Sequence, residues 1–259
     1  MKNKLTALFE RKKKGVLNIY CTAGFPKIDS LFEIMPALQN AGADIIEIGM
    51  PYSDPLADGP VIQHSNGIAL ENGMTISLLL EQLDKMKDLL NIPILLMGYF
   101  NPVLQYGIEE FCEDAAAAGA AGLILPDLPV AEYKKHYRKI FEKYALSFIP
   151  LITPETTEKR IRKADKIGSG FLYAVSSSAT TGGKIDFSAK QAYFQRLTDL
   201  KLSNPILIGF GIKSRADFEE VSAYAAGGII GSAFIKKLED AVNIPVSISD
   251  FVGEVRGEI

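Results

Sequence analysis

The chain has 259 residues, 47% hydrophobic and 23% charged, with a formal net charge of -3 and a pI near 5.6. These values exclude an intrinsically disordered chain and a polybasic protein that binds nucleic acid or membrane surfaces. Two histidines (His64, His136) and two cysteines (Cys21, Cys112) are too few and too scattered for a Cys₄ or Cys₂His₂ zinc site, and tryptophan is absent.

At the N-terminus Leu5, Leu8 and Phe9 fit a short amphipathic helix, followed by the basic run 11–14. A secretory signal has its basic run first, so none is expected here, and the run reads as a solvated helix end. No apolar stretch approaches the roughly 18 residues of a membrane span. Cys21 and Cys112 read as reduced core thiols, and the expected compartment is the cytoplasm.

Compact apolar runs then recur at 17–22, 45–49, 94–98, 122–125, 147–151, 171–175, 206–209 and 228–231. Several follow an Ala-Gly pair, as in Ala41-Gly-Ala-Asp, Ala118-Gly-Ala-Ala and Ala226-Gly-Gly, where glycine ends a helix and the run after it reads as a buried parallel strand. Helical faces lie between the runs: Leu31, Ile34, Met35 and Leu38; Leu79, Leu83, Met86 and Leu90; Phe218 and Val221. No linker interrupts the pattern. We expect an α/β fold, a single (β/α)₈ barrel domain over residues 1–259 with an extra N-terminal helix and a short helix after the eighth strand. An open doubly wound sheet competes, but no G-x-G-x-x-G follows the first run.

A barrel places its chemistry where strands end and the following loops begin. In Ile45-Ile-Glu-Ile-Gly49 the alternation of side chains turns Glu47 into the barrel, where burial raises a carboxyl pKa toward the range of an acid–base group. A salt bridge inside the barrel is the competing reading. The next loop, Met50-Pro-Tyr-Ser-Asp-Pro-Leu-Ala-Asp-Gly-Pro60, is stiffened by prolines and carries Asp54 and Asp58, each also explicable as a turn residue. Glycine-bearing segments after the last three strands, Thr180-Thr-Gly-Gly183, Gly209-Phe-Gly211 and Gly231-Ser232, offer backbone N–H groups to a phosphate, with Ser232 as a helix cap and hydroxyl donor. Lys184 and Lys236 lie nearby, but no cation falls within these segments, so dipoles rather than a charge clamp would hold the anion. Tyr99, Ile124, Tyr173 and Phe210 sit at strand ends, as core packing or as pocket walls.

The stretch Ile46-Glu-Ile-Gly-Met-Pro-Tyr-Ser-Asp-Pro-Leu-Ala-Asp-Gly-Pro-Val-Ile-Gln63 closely resembles the signature of the tryptophan synthase alpha subunit family. Thr22-Ala-Gly24, Met97-Gly-Tyr-Phe-Asn-Pro102, Pro126-Asp-Leu-Pro129, Gly209-Phe-Gly-Ile212 and Gly231-Ser232 extend the resemblance over essentially the whole chain. It departs from the family at Phe25 and in the loop 176–183. The resemblance implies reversible cleavage of indole-3-glycerol phosphate into indole and glyceraldehyde 3-phosphate. Glu47 and Asp58 would be the catalytic pair, with Ile124 and Phe210 as indole walls and Tyr99, Tyr173 and Thr181 as further substrate contacts. Gly182, Gly211, Gly231 and Ser232 would surround the phosphate. It also implies an αββα heterotetramer in which indole passes to a beta subunit carrying pyridoxal phosphate, with no cofactor or metal in this chain. Pro51, Asp54, Pro55 and Asn101 would face that partner. A stand-alone indole-3-glycerol-phosphate lyase and a non-catalytic activator of the beta subunit are the alternatives.

Overall fold

The computed structural model describes residues 3–55, 58–175, 187–209 and 211–258. Its strands are all parallel and every strand residue but Leu151 is buried, because helices cover the outer face and the opposite strands cover the inner one. In chain order they are β1 (Val16–Thr22), β2 (Ile45–Gly49), β3 (Ile94–Met97), β4 (Ala120–Ile124), β5 in two pieces (Ser147–Phe148 and Leu151–Ile152), β6 (Leu172–Val175), β7 (Ile206–Gly209) and β8 (Gly227–Ile230). Each expected run coincides with one of them.

The two pieces of β5 close the barrel. Ser147–Phe148 pairs with β4 and Leu151–Ile152 with β6. Between them the Ile149 N–H donates to Leu123 O at 3.0 Å on one side, and Pro150 O accepts from the Tyr173 N–H at 3.1 Å on the other. Proline has no N–H to give, so the ladder is interrupted there and yet the strand stays continuous. The sheet runs β5-β4-β3-β2-β1-β8-β7-β6 and returns to β5.

The helices follow the expected faces: Leu31, Ile34, Met35 and Leu38 are buried in α2 (Leu31–Asn40), and Phe218 and Val221 in the helix Arg215–Tyr224. The N-terminal helix α1 (Lys4–Arg11) buries Leu5, Leu8 and Phe9 under the N-terminal ends of the strands, where Asn3 Nδ2 donates to Ala121 O and Ala145 O and Phe9 meets Phe171. The basic run beyond it is solvated as expected at Arg11, Lys13 and Lys14, with Lys12 half-buried, and two of its cations also find partners. Lys12 pairs with Asp44 at 2.7 Å, and Lys14 donates to the carbonyls of Ser222, Ala223 and Ala225 at the end of the helix Arg215–Tyr224. A cation there complements the helix dipole.

Candidate active site

The register of β1, β2, β3 and β4 sets Tyr20 beside Glu47, Thr22 beside Gly49, and Met97 between Gly49 and Ile124. At the C-terminal ends of these strands opens a cavity of about 630 Å³, enough for a drug-sized ligand. Glu47, Asp58, Tyr173, Gly211, Gly231 and Ser232 line it together. Six of the residues singled out from sequence therefore meet in one site.

Glu47 is fully buried and accepts a hydrogen bond from Asn18 Nδ2 at 2.6 Å, and among the described residues no cation pairs with it. Burial pushes its carboxyl up to about 8, with the Asn18 bond opposing and the charge of Asp58 assisting. The Asp58 N–H donates to Pro55 O at 3.0 Å, and Gln63 Nε2 donates to the Asp58 carbonyl at 2.8 Å. Its carboxyl is also raised by burial, to about 6, held down by hydrogen bonds from Tyr99 and Asn66. The helix α3 (Pro60–Glu71) starts directly after it, and a hydroxyl chain anchors that start: Tyr20 to Thr22 at 3.3 Å, Thr22 to Ser65 at 2.7 Å, and Ser65 to Ile62 O at 2.9 Å.

Two carboxyls are thus pushed apart in pKa within one cleft. Burial raises Glu47 further than Asp58, so near neutrality the two carboxyls of one cleft differ in how readily they ionise. Glycine makes the packing possible: a Cβ on Gly209 would stand 2.6 Å from the Tyr173 hydroxyl. Tyr173 itself is buried, and its phenol is raised by desolvation.

The late strands supply the other end of the cavity. Gly211 takes a φ of +84°, open to glycine, and Gly231 is the N-cap of the helix Ser232–Glu239. Ser232 is therefore the first helical residue rather than the cap, since the chain enters its first turn one position earlier than the serine suggests. Gly231 has no side chain with which to cap this helix, and its first turn, Ser232 and Ala233, lines the cavity. Lys213, Lys236 and Lys237 also line it, so cations stand at the rim that the glycine segments themselves lack. Thr181, Gly182 and Phe210 lie outside the described residues.

Two expected pocket residues are placed differently. Tyr99 bonds to Asp58, packs its ring against Tyr52 at 5.2 Å between centroids with a tilt of 32°, and lines a small adjoining void with Asn66 and Pro126. Ile124 has no exposed surface and lies beside Met97, which lines the main cavity. Sequence reasoning passed over Tyr20, Met97, Val61, Ile62 and Ile212, which form the apolar walls with Ile229. The available signal was their position at strand ends and on the first turn after Gly59. Pro51, Asp54 and Pro55 lie on the loop after β2, and Asn101 on the helix Phe100–Tyr106; Asp54 and Asn101 are exposed. Among the described residues no group of three or more His, Cys, Asp or Glu side chains gathers as a metal site, and no helix is long and apolar enough to cross a membrane.

A family model described as tryptophan synthase alpha chain matches residues 6–252. The chain is 47% identical over 255 residues to the tryptophan synthase alpha chain of Flavobacterium johnsoniae, covering 98% of this chain and 100% of that one. It is 49% identical over 238 residues to the corresponding protein of Parabacteroides distasonis, covering 92% and 93%. Among solved structures, tryptophan synthase subunit alpha from Legionella pneumophila superposes with a TM-score of 0.91 at 30% identity, covering 99% and 98%. Tryptophan synthase from Mycobacterium tuberculosis, in an aminoacrylate-bound form, gives 0.86 at 31% identity, covering 98% of each chain.

Proposed function

Because this chain belongs to the tryptophan synthase alpha chain family, and so cleaves indole-3-glycerol phosphate to indole and glyceraldehyde 3-phosphate, we propose that Glu47 is its acid–base group and Asp58 the carboxylate that stabilises the indole nitrogen. The observation that carries this assignment is geometric: Glu47, fully buried on β2, and Asp58 line one cavity, where burial raises both carboxyls and Glu47 the further.

The barrier lies in the bond that must break, because its electrons have to flow into an aromatic carbon. Neutral Glu47 donates its proton to indole C3, which interrupts the ring's aromaticity and places positive charge at the ring nitrogen. Asp58, ionised, accepts a hydrogen bond from the indole N–H and stabilises that charge in a poorly hydrated cleft. Glu47, now a carboxylate, removes the hydroxyl proton from the adjacent side-chain carbon. The C3–carbon bond breaks, its electron pair restores the aromatic ring, and the former alcohol carbon becomes the aldehyde. Glu47 ends the cycle protonated, as it began. General acid–base catalysis of this kind contributes about 10²–10⁴-fold.

The apolar walls Tyr20, Met97 and Ile212 suit the indole ring. Gly211, Gly231 and the first turn of Ser232–Glu239, with Lys213 and Lys236 at the rim, suit the phosphate. The partner of this chain is a beta subunit docked over Pro51, Asp54, Pro55 and Asn101 at the barrel mouth. The complex is an αββα heterotetramer in the cytoplasm, with pyridoxal phosphate in the beta subunit and no cofactor needed here. Light scattering of the co-expressed chains tests the stoichiometry.

Glu47→Gln is expected to reduce indole release by at least about 10³-fold while leaving substrate affinity within a few-fold. Asp58→Asn keeps the shape and loses the charge, and a rate loss of about 10²-fold is expected. Indole release measured with and without beta subunit reads the rates. Because the chain has no tryptophan, indole fluorescence reads binding directly against a tyrosine background. Near-normal turnover by Glu47→Gln would overturn the acid–base assignment, and a loss below about tenfold in Asp58→Asn would overturn the electrostatic one.

A further inference from the structure

Asn18 is a fully buried polar residue on β1, two positions before Tyr20 on the same face of the strand, and it donates Nδ2–H to Glu47 Oε2 at 2.6 Å. The register pairs Asn18 with Ile45 and Tyr20 with Glu47, so the amide reaches Glu47 diagonally, from the layer nearer the N-terminal ends of the strands. Its other strand neighbour is Ile229. On packing alone an amide is misplaced between these isoleucines. A leucine of similar volume would fill the space, whereas Asn18 Oδ1 is buried and finds no partner among the described residues. Among the described residues the bond to Glu47 is the side-chain interaction that offsets this desolvation.

We propose that Asn18 is a positioning residue for Glu47, anchoring Oε2 so that the carboxyl keeps one orientation through the reaction and carries its transferable proton on Oε1. The inference rests on the acid–base role of Glu47. An N–H aimed at Oε2 occupies that oxygen, so a neutral carboxyl holds its proton on Oε1, the oxygen without a partner among the described residues. When Glu47 ionises the same bond persists and becomes charge-assisted. A group that acts first as acid and then as base at neighbouring atoms requires this, because re-orientation between the two steps would lose the alignment that makes them efficient. The bond also favours the ionised form against burial, which keeps the group exchangeable near neutrality.

The test uses the full-length chain with Asn18→Leu, which keeps the volume and removes the donor. Infrared difference titration of the Glu47 carboxyl, identified by its loss in Glu47→Gln, reads the bond without turnover. The midpoint is expected to rise by about one pH unit, with a parallel shift in the pH profile of indole-3-glycerol phosphate cleavage. The kcat should fall about tenfold while KM stays within about threefold. An unmoved midpoint and pH profile overturn the proposal whatever the loss of rate, since a purely structural role would slow the enzyme without retuning Glu47. Should the leucine variant fail to fold, Asn18→Asp decides: it is nearly isosteric and, once ionised, cannot donate, so the midpoint must rise there too. Full activity of Glu47→Gln would remove the acid–base reading itself, and because a different variant reports it, the two failures stay separate.

Discussion

Asp58 has to be ionised to stabilise a positive nitrogen, yet burial works against it, and the hydroxyl of Tyr99 opposes that burial together with Asn66. Tyr99→Phe removes the stronger of these two donors and leaves the ring packed against Tyr52. The Asp58 pKa should rise from about 6 by roughly half a unit to one unit, so the acidic limb of the kcat profile moves to higher pH. A steady-state pH profile of indole release checks the shift, and an unmoved acidic limb would deny Tyr99 this role. At the same scale, Glu47 was legible because a carboxyl inside an alternating apolar run is costly to bury, and a chain that keeps one there needs it for chemistry or for an ion pair. Asn18 and Tyr20 were legible by the same rule and were passed over: in Val16–Thr22 the side chains of Asn18, Tyr20 and Thr22 alternate with Leu17, Ile19 and Cys21, a two-residue period that marks the face turned into the barrel, although burial along the whole strand mutes the signal.

Helices and strands at the far end of the barrel are tied through one carboxylate. Asp44, just before β2, receives Lys12 from the end of α1, Arg256 from the C-terminal helix Ile244–Arg256, and the backbone N–H of Leu17 at the start of β1. Arg256 also donates to Gly15 O and Gly42 O, so four chain segments share one knot. Asp44→Asn leaves two cations short of their counter-charge at a site where Asp44 and Arg256 are largely shielded, and should destabilise the fold by about 2 kcal/mol. Urea unfolding measures that loss, and kcat should be unchanged because the knot lies at the end of the barrel opposite the cavity. Element positions were otherwise readable from the alternation of Ala-Gly helix ends with β-branched runs. Two local details escaped: the interruption of β5 at Pro150, which reads in sequence as one run, and the helix after β8 starting at Ser232 with Gly231 as its cap. Both depend on which backbone N–H groups find partners, and residue type alone does not specify that. In the basic run 11–14, Lys12 and Lys14 likewise find a carboxylate and carbonyls that only the fold brings within reach.

Across the whole molecule the two ends of the barrel do opposite work: the N-terminal end accumulates ion pairs and apolar plugs, while the C-terminal end buries two carboxyls against their solvation. The second arrangement makes stability depend on pH with a definite sign. Glu47 has an ordinary pKa of 4.5 in the unfolded chain and about 8 in the folded one, so below 4.5 both states bind the proton and the group is neutral toward stability. Between those values the unfolded chain releases the proton and the folded chain retains it, so stability falls as pH rises, and the loss is complete above about 8. Asp58, raised from 3.8 to about 6, adds a smaller loss in a lower window. Glu47→Gln cannot ionise, so it escapes the first of these losses. Its stability relative to the unsubstituted chain should improve by roughly 3–5 kcal/mol between pH 5 and pH 8.5. Urea midpoints of both chains at the two pH values check this. A constant difference would show that Glu47 ionises in the fold as easily as in water, and the proton-donor role would fall with it. The gain in Glu47→Gln should coincide with the loss of turnover, because the same desolvation that weakens the fold keeps the proton on the carboxyl until the indole ring is there to take it.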